Sequence, residues 1–154
     1  MEKVSRLKLA WAAGIIDGEG CILLSLHTKK KSYNLRVTVT NTDPKMLKEL
    51  KSMFGGSIHA ANCKNDKAHW KFKWIWVLVS KEADSALSSM LPYLITKQDQ
   101  AKTALTFKTL HRERGGNMTV AKPDNDKLFD EQKWLAARLK EMKHESLIES
   151  EVLS

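Results

Sequence analysis

Apolar and polar residues alternate along the first third of the chain with two different periods. Apolar residues at helical spacing predict a first helix over residues 4–17, ended by Gly18 and Gly20. Strands are predicted over residues 21–29 and 33–40. The second of these alternates without exception, because Leu35, Val37 and Val39 are separated by polar residues. This pattern indicates a helix followed by two strands, each with one buried face.

The same order of elements repeats in the middle of the chain. Asp43-Pro44 predicts the start of a second helix, and Gly55-Gly56 predicts its end. A second strand pair is expected over residues 57–61 and 70–79. Three aromatic residues in the latter strand are assigned to the core: Phe72, Trp74 and Trp76.

Only helices are predicted after the fourth strand. They cover residues 80–91, 96–114 and 126–145, and Pro92 and Gly115-Gly116 separate them. Five residues of the last helix are expected to face inward: Leu128, Trp134, Leu135, Leu139 and Met142. The order αββαββ with trailing helices predicts an α+β fold. We expect one domain, 1–154, with a core at about 4–114 and a C-terminal helical segment at about 126–145.

The charge balance favours a polyanionic partner. Lys and Arg number 26 against 18 Asp and Glu, which gives a net charge of +8. Nucleic acid is the first candidate and an anionic membrane surface the second. The two cysteines lack metal-ligand spacing and are interpreted as reduced thiols. No apolar run reaches the length of a membrane span, and residues 7–16 lack a cleavage site. We therefore expect an intracellular protein of an organelle or a microbial cytoplasm.

The first helix carries a stripe of small residues. Ala10, Gly14 and Gly18 recur every four residues and share one face. Such a stripe allows two helices to approach backbone to backbone. The second helix could belong to another subunit or to the same domain, and spacing alone does not decide between them.

Two carboxylates stand at the end of this helix. Asp17 and Glu19 lie where a helix already has partial negative charge, which disfavours further negative charge unless a cation compensates. Carboxylate and carbonyl oxygens are the ligands that Mg²⁺ prefers. A hard-cation site is one interpretation, and exposed turn residues are the other.

The segment from Ala12 to Gly20, AAGIIDGEG, resembles the nine-residue signature of the LAGLIDADG endonuclease family. Ala12 replaces the first Leu. Six positions fit as identities or common substitutes: Ala13, Gly14, Ile16, Asp17, Glu19 and Gly20. The family's αββαββα core also agrees with the predicted element order, so the resemblance covers about the first 110 residues.

The resemblance implies a metal-dependent DNA endonuclease that works as a homodimer. Glu19 would bind the catalytic metal, with help from the carbonyl of Gly18. The expected ion is Mg²⁺, with Mn²⁺ or Ca²⁺ as other occupants, and no small-molecule cofactor is expected. Because the chain has one copy of the motif, two subunits would pair through the motif helix. The implied interface residues are Ala10, Ala13, Gly14, Asp17 and Gly18.

Three further polar residues match neighbours of the family's active site. Asn41 would position a water molecule, and Lys45 would lie near the scissile phosphate. Lys97, within the sequence TKQDQA, would support the solvent network and stabilise charge. The alternatives are a helix-entry turn for Asn41 and a solvated side chain for Lys45.

The resemblance also implies a curved four-stranded antiparallel sheet that follows the major groove of double-stranded DNA. The polar side of each strand would face the bases, with Arg36 suited to guanine and Asn34 to adenine. The alternative is an ordinary solvent-exposed sheet face. The residues assigned to DNA are Ser25, His27, Lys29, Lys31, Asn34, Arg36, Thr38, Thr40, His59, Ala61, Lys71, Lys73 and Ile75.

Two rival functions remain at this stage. A non-cleaving relative, such as an RNA-splicing maturase or a DNA-binding regulator, would share the fold without the nuclease activity. A basic packing module would bind nucleic acid with a steep salt dependence and without sequence preference.

Overall fold

The computed structural model describes residues 4–28, 32–61, 72–112 and 125–152. Its element order is the one that the sequence predicts. The elements are α1 (Arg6–Glu19), β1 (Gly20–His27), β2 (Ser32–Asn41), α2 (Pro44–Phe54), β3 (Ser57–Ala61), β4 (Lys73–Val79), α3 (Ser80–Met90), a short 3-10 helix (Leu91–Tyr93), α4 (Gln98–Arg112) and α5 (Asn125–Val152).

Local chemistry explains where α1 and α2 end. The backbone N–H of Gly20 donates to the carbonyl of Ile16, and a Cβ at position 20 would lie 2.6 Å from that oxygen. A glycine is therefore required at the junction between α1 and β1. Asp43 caps α2 by accepting from the Lys45 amide at 2.8 Å, and Pro44 follows in the first turn. Gly55 ends α2 with a positive φ of 80°.

The four strands form one antiparallel sheet in the order β1-β2-β4-β3. One face is buried. Its strand residues include Ile22, Leu35, Val37, Val39 and Trp76, and they pack in one core with apolar residues from the helices. The predicted α+β class and the predicted alternation of β2 are both confirmed.

Two residues that were assigned to the core are exposed. Phe72 is 59% exposed and contacts Trp74 edge-to-face, although Trp76 is fully buried as predicted. Trp134 is 65% exposed, because it stands one residue away from the buried stripe of α5 formed by Leu128, Leu135 and Leu139. The helix itself continues to Val152, beyond the predicted end at residue 145.

Candidate active site and nucleic-acid interface

Helix α1 has two apolar sides, and only one of them packs on the core. Ala12, Ala13 and Ile16 are fully buried beneath the sheet and the other helices. On the other side, Leu7 is 85% and Trp11 42% exposed. A large apolar patch on a surface helix is typical of an interface.

The small-residue stripe lies on that exposed side. Ala10, Gly14 and Gly18 are exposed, and a Cβ built on either glycine meets no described heavy atom within 4 Å. The possibility that the stripe packs within its own domain is therefore excluded for the residues that the structure describes. The stripe is open to a partner helix.

Asp17 and Lys97 are joined by reciprocal hydrogen bonds at the end of α1. The Asp17 carboxylate accepts from the backbone amides of Ile95 and Lys97, both at 2.8 Å. In return, the Lys97 ammonium donates to the carbonyl of Ile16 at 2.9 Å and to that of Asp17. The ammonium thus supplies the cation that a helix C-terminus favours, although α1 has no basic residue in its last turn.

Burial lowers the pKa of Lys97 from its ordinary value of 10.5, because a buried ammonium loses hydration. The charges of Asp17, Cys21 and Glu19 oppose that shift, and Lys143 adds to it. The Lys97 ammonium, which donates to the carbonyl of Asp17, thus lies near Glu19, the acid that the motif assigns to the metal. The structure brings these two predicted site residues together.

Glu19 is the last residue of α1, and its side chain is exposed. The Asp17 carboxylate is occupied by two amides, and Lys97 covers the carbonyls of Ile16 and Asp17, which precede Gly18. The Glu19 carboxylate and the Gly18 carbonyl are the donor types that a hard divalent cation takes. Within the described residues, no three acidic, His or Cys side chains converge on one point. The Glu19 carboxylate and the Gly18 carbonyl therefore fit part of the ligand set of such an ion.

Asn41 is the last residue of β2, and Lys45 lies in the first turn of the helix that follows, α2. Gly20 pairs with Val39, so the end of α1 lies beside the end of β2. The Asn41 side-chain oxygen accepts from the Asp43 amide at 2.8 Å, which is the helix-entry turn that the sequence left open as its alternative role. Lys45 is exposed in the first turn of α2. Catalytic roles for both residues remain predictions.

The register of the strands shows which side chains form the outer face of the sheet, the face away from the core. Ser25 pairs with Asn34, Thr40 with Ile75, and His59 also with Ile75. Side chains paired in this way share a face. The described residues assigned to DNA therefore lie on one surface, away from the core: Ser25, Asn34, Arg36, Thr38, Thr40, His59, Ala61, Lys73 and Ile75.

The same register adds four apolar or thiol residues to the outer face that the sequence analysis missed. Cys21 pairs with Thr38 and Leu23 with Arg36 on one side of β2. Val77 and Val79 pair with the same two β2 residues on the other side. The period-two pattern of β4 already contained this information, because Val77 and Val79 continue the series from Lys73 and Ile75.

Charges differ between the two layers of the protein. Several exposed cations on the helices pair with acids, as in Lys8–Glu49 and Lys102–Asp99. The outer-face residues of the described strands include Arg36, His59 and Lys73 and no acid. A face that carries only positive charges is better suited to bind a polyanion than to be left in solvent, where surfaces usually mix both signs.

Some predicted residues fall elsewhere. Lys29, Lys31 and Lys71 lie outside the residues that the structure describes, as does the side chain of His27. Ala13 was assigned to the subunit interface, but it is fully buried in the core of its own subunit. Asp17 was assigned there as well, and its carboxylate is bonded within the subunit.

The C-terminal helix reaches this region through Lys143. Its ammonium lies 3.1 Å from the Cys21 sulfur, and it contributes to the electrostatics of Lys97. Cys21 and Lys143 are 122 positions apart, so no local pattern announces the contact. In the described part of the chain, none of the helices has the length and apolarity that crossing a membrane demands.

Two sequence comparisons address the family. Residues 12–84 match the model of the family described as LAGLIDADG endonuclease. Over 48 residues, the chain is 42% identical to the intron-encoded RNA maturase bI4 of Saccharomyces cerevisiae (strain ATCC 204508 / S288c). That stretch covers 31% of this chain and only 7% of the maturase.

Solved structures address the fold. The chain is similar to the homing endonuclease I-CvuI, solved with the I-CreI target in the presence of Mg and with its DNA not cleaved. The TM-score is 0.70 and the identity 21%, over 89% of this chain and 82% of that one. It is also similar to the archaeal intron-encoded homing endonuclease I-Vdi141I, complexed with DNA, with a TM-score of 0.65 and 16% identity over 88% and 84% of the two chains.

A third similar structure has a longer chain. LAGLIDADG homing endonuclease I-GzeII, in complex with a DNA target, gives a TM-score of 0.55 at 19% identity, and the match covers 73% of this chain but 39% of that one. The match at residues 12–84 and the shared architecture together identify this chain as one that carries a LAGLIDADG endonuclease region within the homing-endonuclease fold.

Proposed function

We propose that the protein is a site-specific, divalent-metal-dependent endonuclease that cuts both strands of double-stranded DNA as a homodimer. The observation that carries the proposal is the end of α1. There, an exposed acid follows an open small-residue stripe, and Lys97, which directly precedes α4, donates to the carbonyls of Ile16 and Asp17 in the last turn of α1. An exposed carboxylate near a lysine ammonium suits phosphodiester hydrolysis, which needs both a metal ligand and compensation of phosphate charge.

The subunit's own residues have distinct tasks in this proposal. Glu19 and the Gly18 carbonyl would hold a divalent ion, which polarises the phosphate and activates water when it is bound. Lys97 neutralises charge that develops near the scissile phosphate. Asp17 positions Lys97, because its carboxylate accepts a hydrogen bond from the Lys97 backbone N–H. Lys45, exposed in the first turn of α2, is proposed as a second cationic contact. The Asn41 side chain, whose oxygen is engaged in the turn, would orient a water molecule through its amide nitrogen.

Two copies of the chain are proposed because one subunit supplies only one such helix end. The match covers 82% of the I-CvuI chain but 39% of the I-GzeII chain, which leaves room in the longer chain for a second copy of this fold. Packing of α1 against its copy would cover Leu7 and Trp11 and would bring two Glu19 side chains together. The outer faces of the two sheets would then extend to either side along the DNA.

The decisive experiment is selection of cleavable duplexes from a random pool in Mg²⁺, followed by comparison of wild-type protein with Glu19→Gln. We expect the variant to bind the selected duplex and to lose detectable cutting, because an amide replaces the metal-binding carboxylate. Asp99→Asn is the matched control, since Asp99 is an exposed acid that pairs with Lys102 on α4. Full cutting by Glu19→Gln would refute the proposed mechanism.

One observation favours a second candidate, the splicing maturase. The 42% identity to bI4 is higher than the identity to each of the endonuclease structures compared above, although it covers 48 residues. A maturase would bind a folded intron RNA more tightly than any selected duplex. A filter-binding comparison of the two nucleic acids, with unlabelled random RNA as competitor, separates the candidates.

A further inference from the structure

Charges are segregated on helix α5. Lys140 follows Lys133 by seven positions, and Lys143 follows Lys140 by three, so the three side chains lie on one flank of the helix. The acids among its described side chains lie on the other side: Asp130, Glu131, Glu141 and Glu145. Arg138 lies with the acids and pairs with Glu141 and Glu145 at 3.5 and 3.1 Å. A solvated helix normally mixes both signs on every exposed side.

The basic flank adjoins the outer face of the sheet. Lys133, Lys140 and Lys143 line a groove together with Leu23 and, from the core-facing side of the sheet, Leu24 and Tyr33. Leu23 belongs to the outer face, because it pairs with Arg36. Lys143 also lies 3.1 Å from Cys21, which belongs to the same face. The lysines therefore lie beside the β1 edge of the sheet, where the acid-free outer face ends.

We propose that this flank of α5 is a phosphate-binding extension of the DNA interface, used in non-specific and specific binding alike. The inference rests on the proposed function, because it needs duplex DNA on the outer face. Lysine is a point charge on a flexible stem and suits phosphates better than base edges. From Lys133 to Lys143 the helix advances about 15 Å, which corresponds to about four base-pair steps along one strand.

The test measures the salt dependence of duplex binding by Lys133→Gln/Lys140→Gln. Both lysines are exposed, so we expect the double variant to fold as the wild type does. Binding is measured with a long random-sequence duplex in EDTA, where no cutting occurs. Each lost phosphate contact should make the negative slope of log K against log salt less steep by about 0.9, which gives about 1.8 for one bound subunit and about 3.6 for two.

Lys127→Gln is the matched control, because Lys127 is an exposed lysine on the acidic side of the same helix. Its slope should equal that of the wild type. An unchanged slope in the double variant, while the wild type binds DNA, would overturn this inference and leave the proposed function intact. Failure of the wild type to bind any duplex would overturn both. A slope that becomes less steep for a folded RNA but not for the duplex would also overturn it, in favour of RNA as the partner.

Discussion

Gly14→Ala separates the stability of the subunit from the stability of the dimer. In the subunit, the new methyl group meets no described atom within 4 Å, and alanine favours a helix over glycine by about 0.8–1.0 kcal/mol. We therefore expect the free energy of unfolding of the isolated subunit to rise by about that amount. The gain is present in monomer and dimer alike and does not affect association.

At a close contact between two α1 helices, the same methyl groups would be in the way. Overpacking costs about 1–3 kcal/mol per site, and a symmetric dimer contains two such sites. Association should weaken by about 2–6 kcal/mol, which raises the dimer dissociation constant at least about 30-fold.

Sedimentation equilibrium measures the dissociation constant, and urea unfolding over a series of protein concentrations measures subunit stability. Ser88→Ala, at an exposed position of α3, is the control, since it raises helix propensity away from the stripe. If neither Gly14→Ala nor the bulkier Gly14→Leu changes the dissociation constant, the stripe is not the dimer contact.

Three further predictions concern the end of α1. Asp17→Asn should lower the free energy of unfolding, measured by urea unfolding, by about 1–3 kcal/mol. The reason is that the Asp17 carboxylate accepts two backbone N–H bonds, whereas the asparagine amide offers only one oxygen. The control Asp99→Asn loses only an exposed ion pair and should lower it by less than about 1 kcal/mol. Gly20→Ala should destabilise the protein and reduce cutting together, since its Cβ would lie 2.6 Å from the Ile16 carbonyl; normal stability would contradict the tight junction. In the metal-free protein, the pKa of Lys97 is lower in the folded state than its ordinary value of 10.5 in the unfolded state. Between these two values the unfolded state binds more protons, so the free energy of unfolding should rise with pH in that window. Urea unfolding over a pH series measures the rise, and Lys97→Met should remove it.

Much of the fold could be predicted because its signals are local. Asp43-Pro44 and Gly55-Gly56 mark the bounds of α2 within a few residues of sequence. The strict alternation of β2 specifies which residues are buried. Hydrophobicity alone was misleading for Phe72 and Trp134, because a large apolar residue can stand beside the core without entering it.

The site was predictable only where a motif carries it. Glu19 is assigned from the family resemblance and Lys97 from its surrounding sequence, and their roles stay predictions. The bonds between Asp17 and Lys97 join positions 80 residues apart, and the Lys143–Cys21 contact joins positions even farther apart. Such contacts depend on how α4 and α5 pack on the sheet, and no spacing in the sequence encodes that packing.

The alternation of β2 has a consequence for how this surface changes over generations. Arg36 is exposed while its neighbours Leu35 and Val37 are buried on the opposite side of the strand. Replacing an outward side chain leaves the packed residues untouched, so substitutions there usually change stability by less than about 0.5 kcal/mol. A lineage can therefore change the chemistry of this surface one residue at a time without losing the fold.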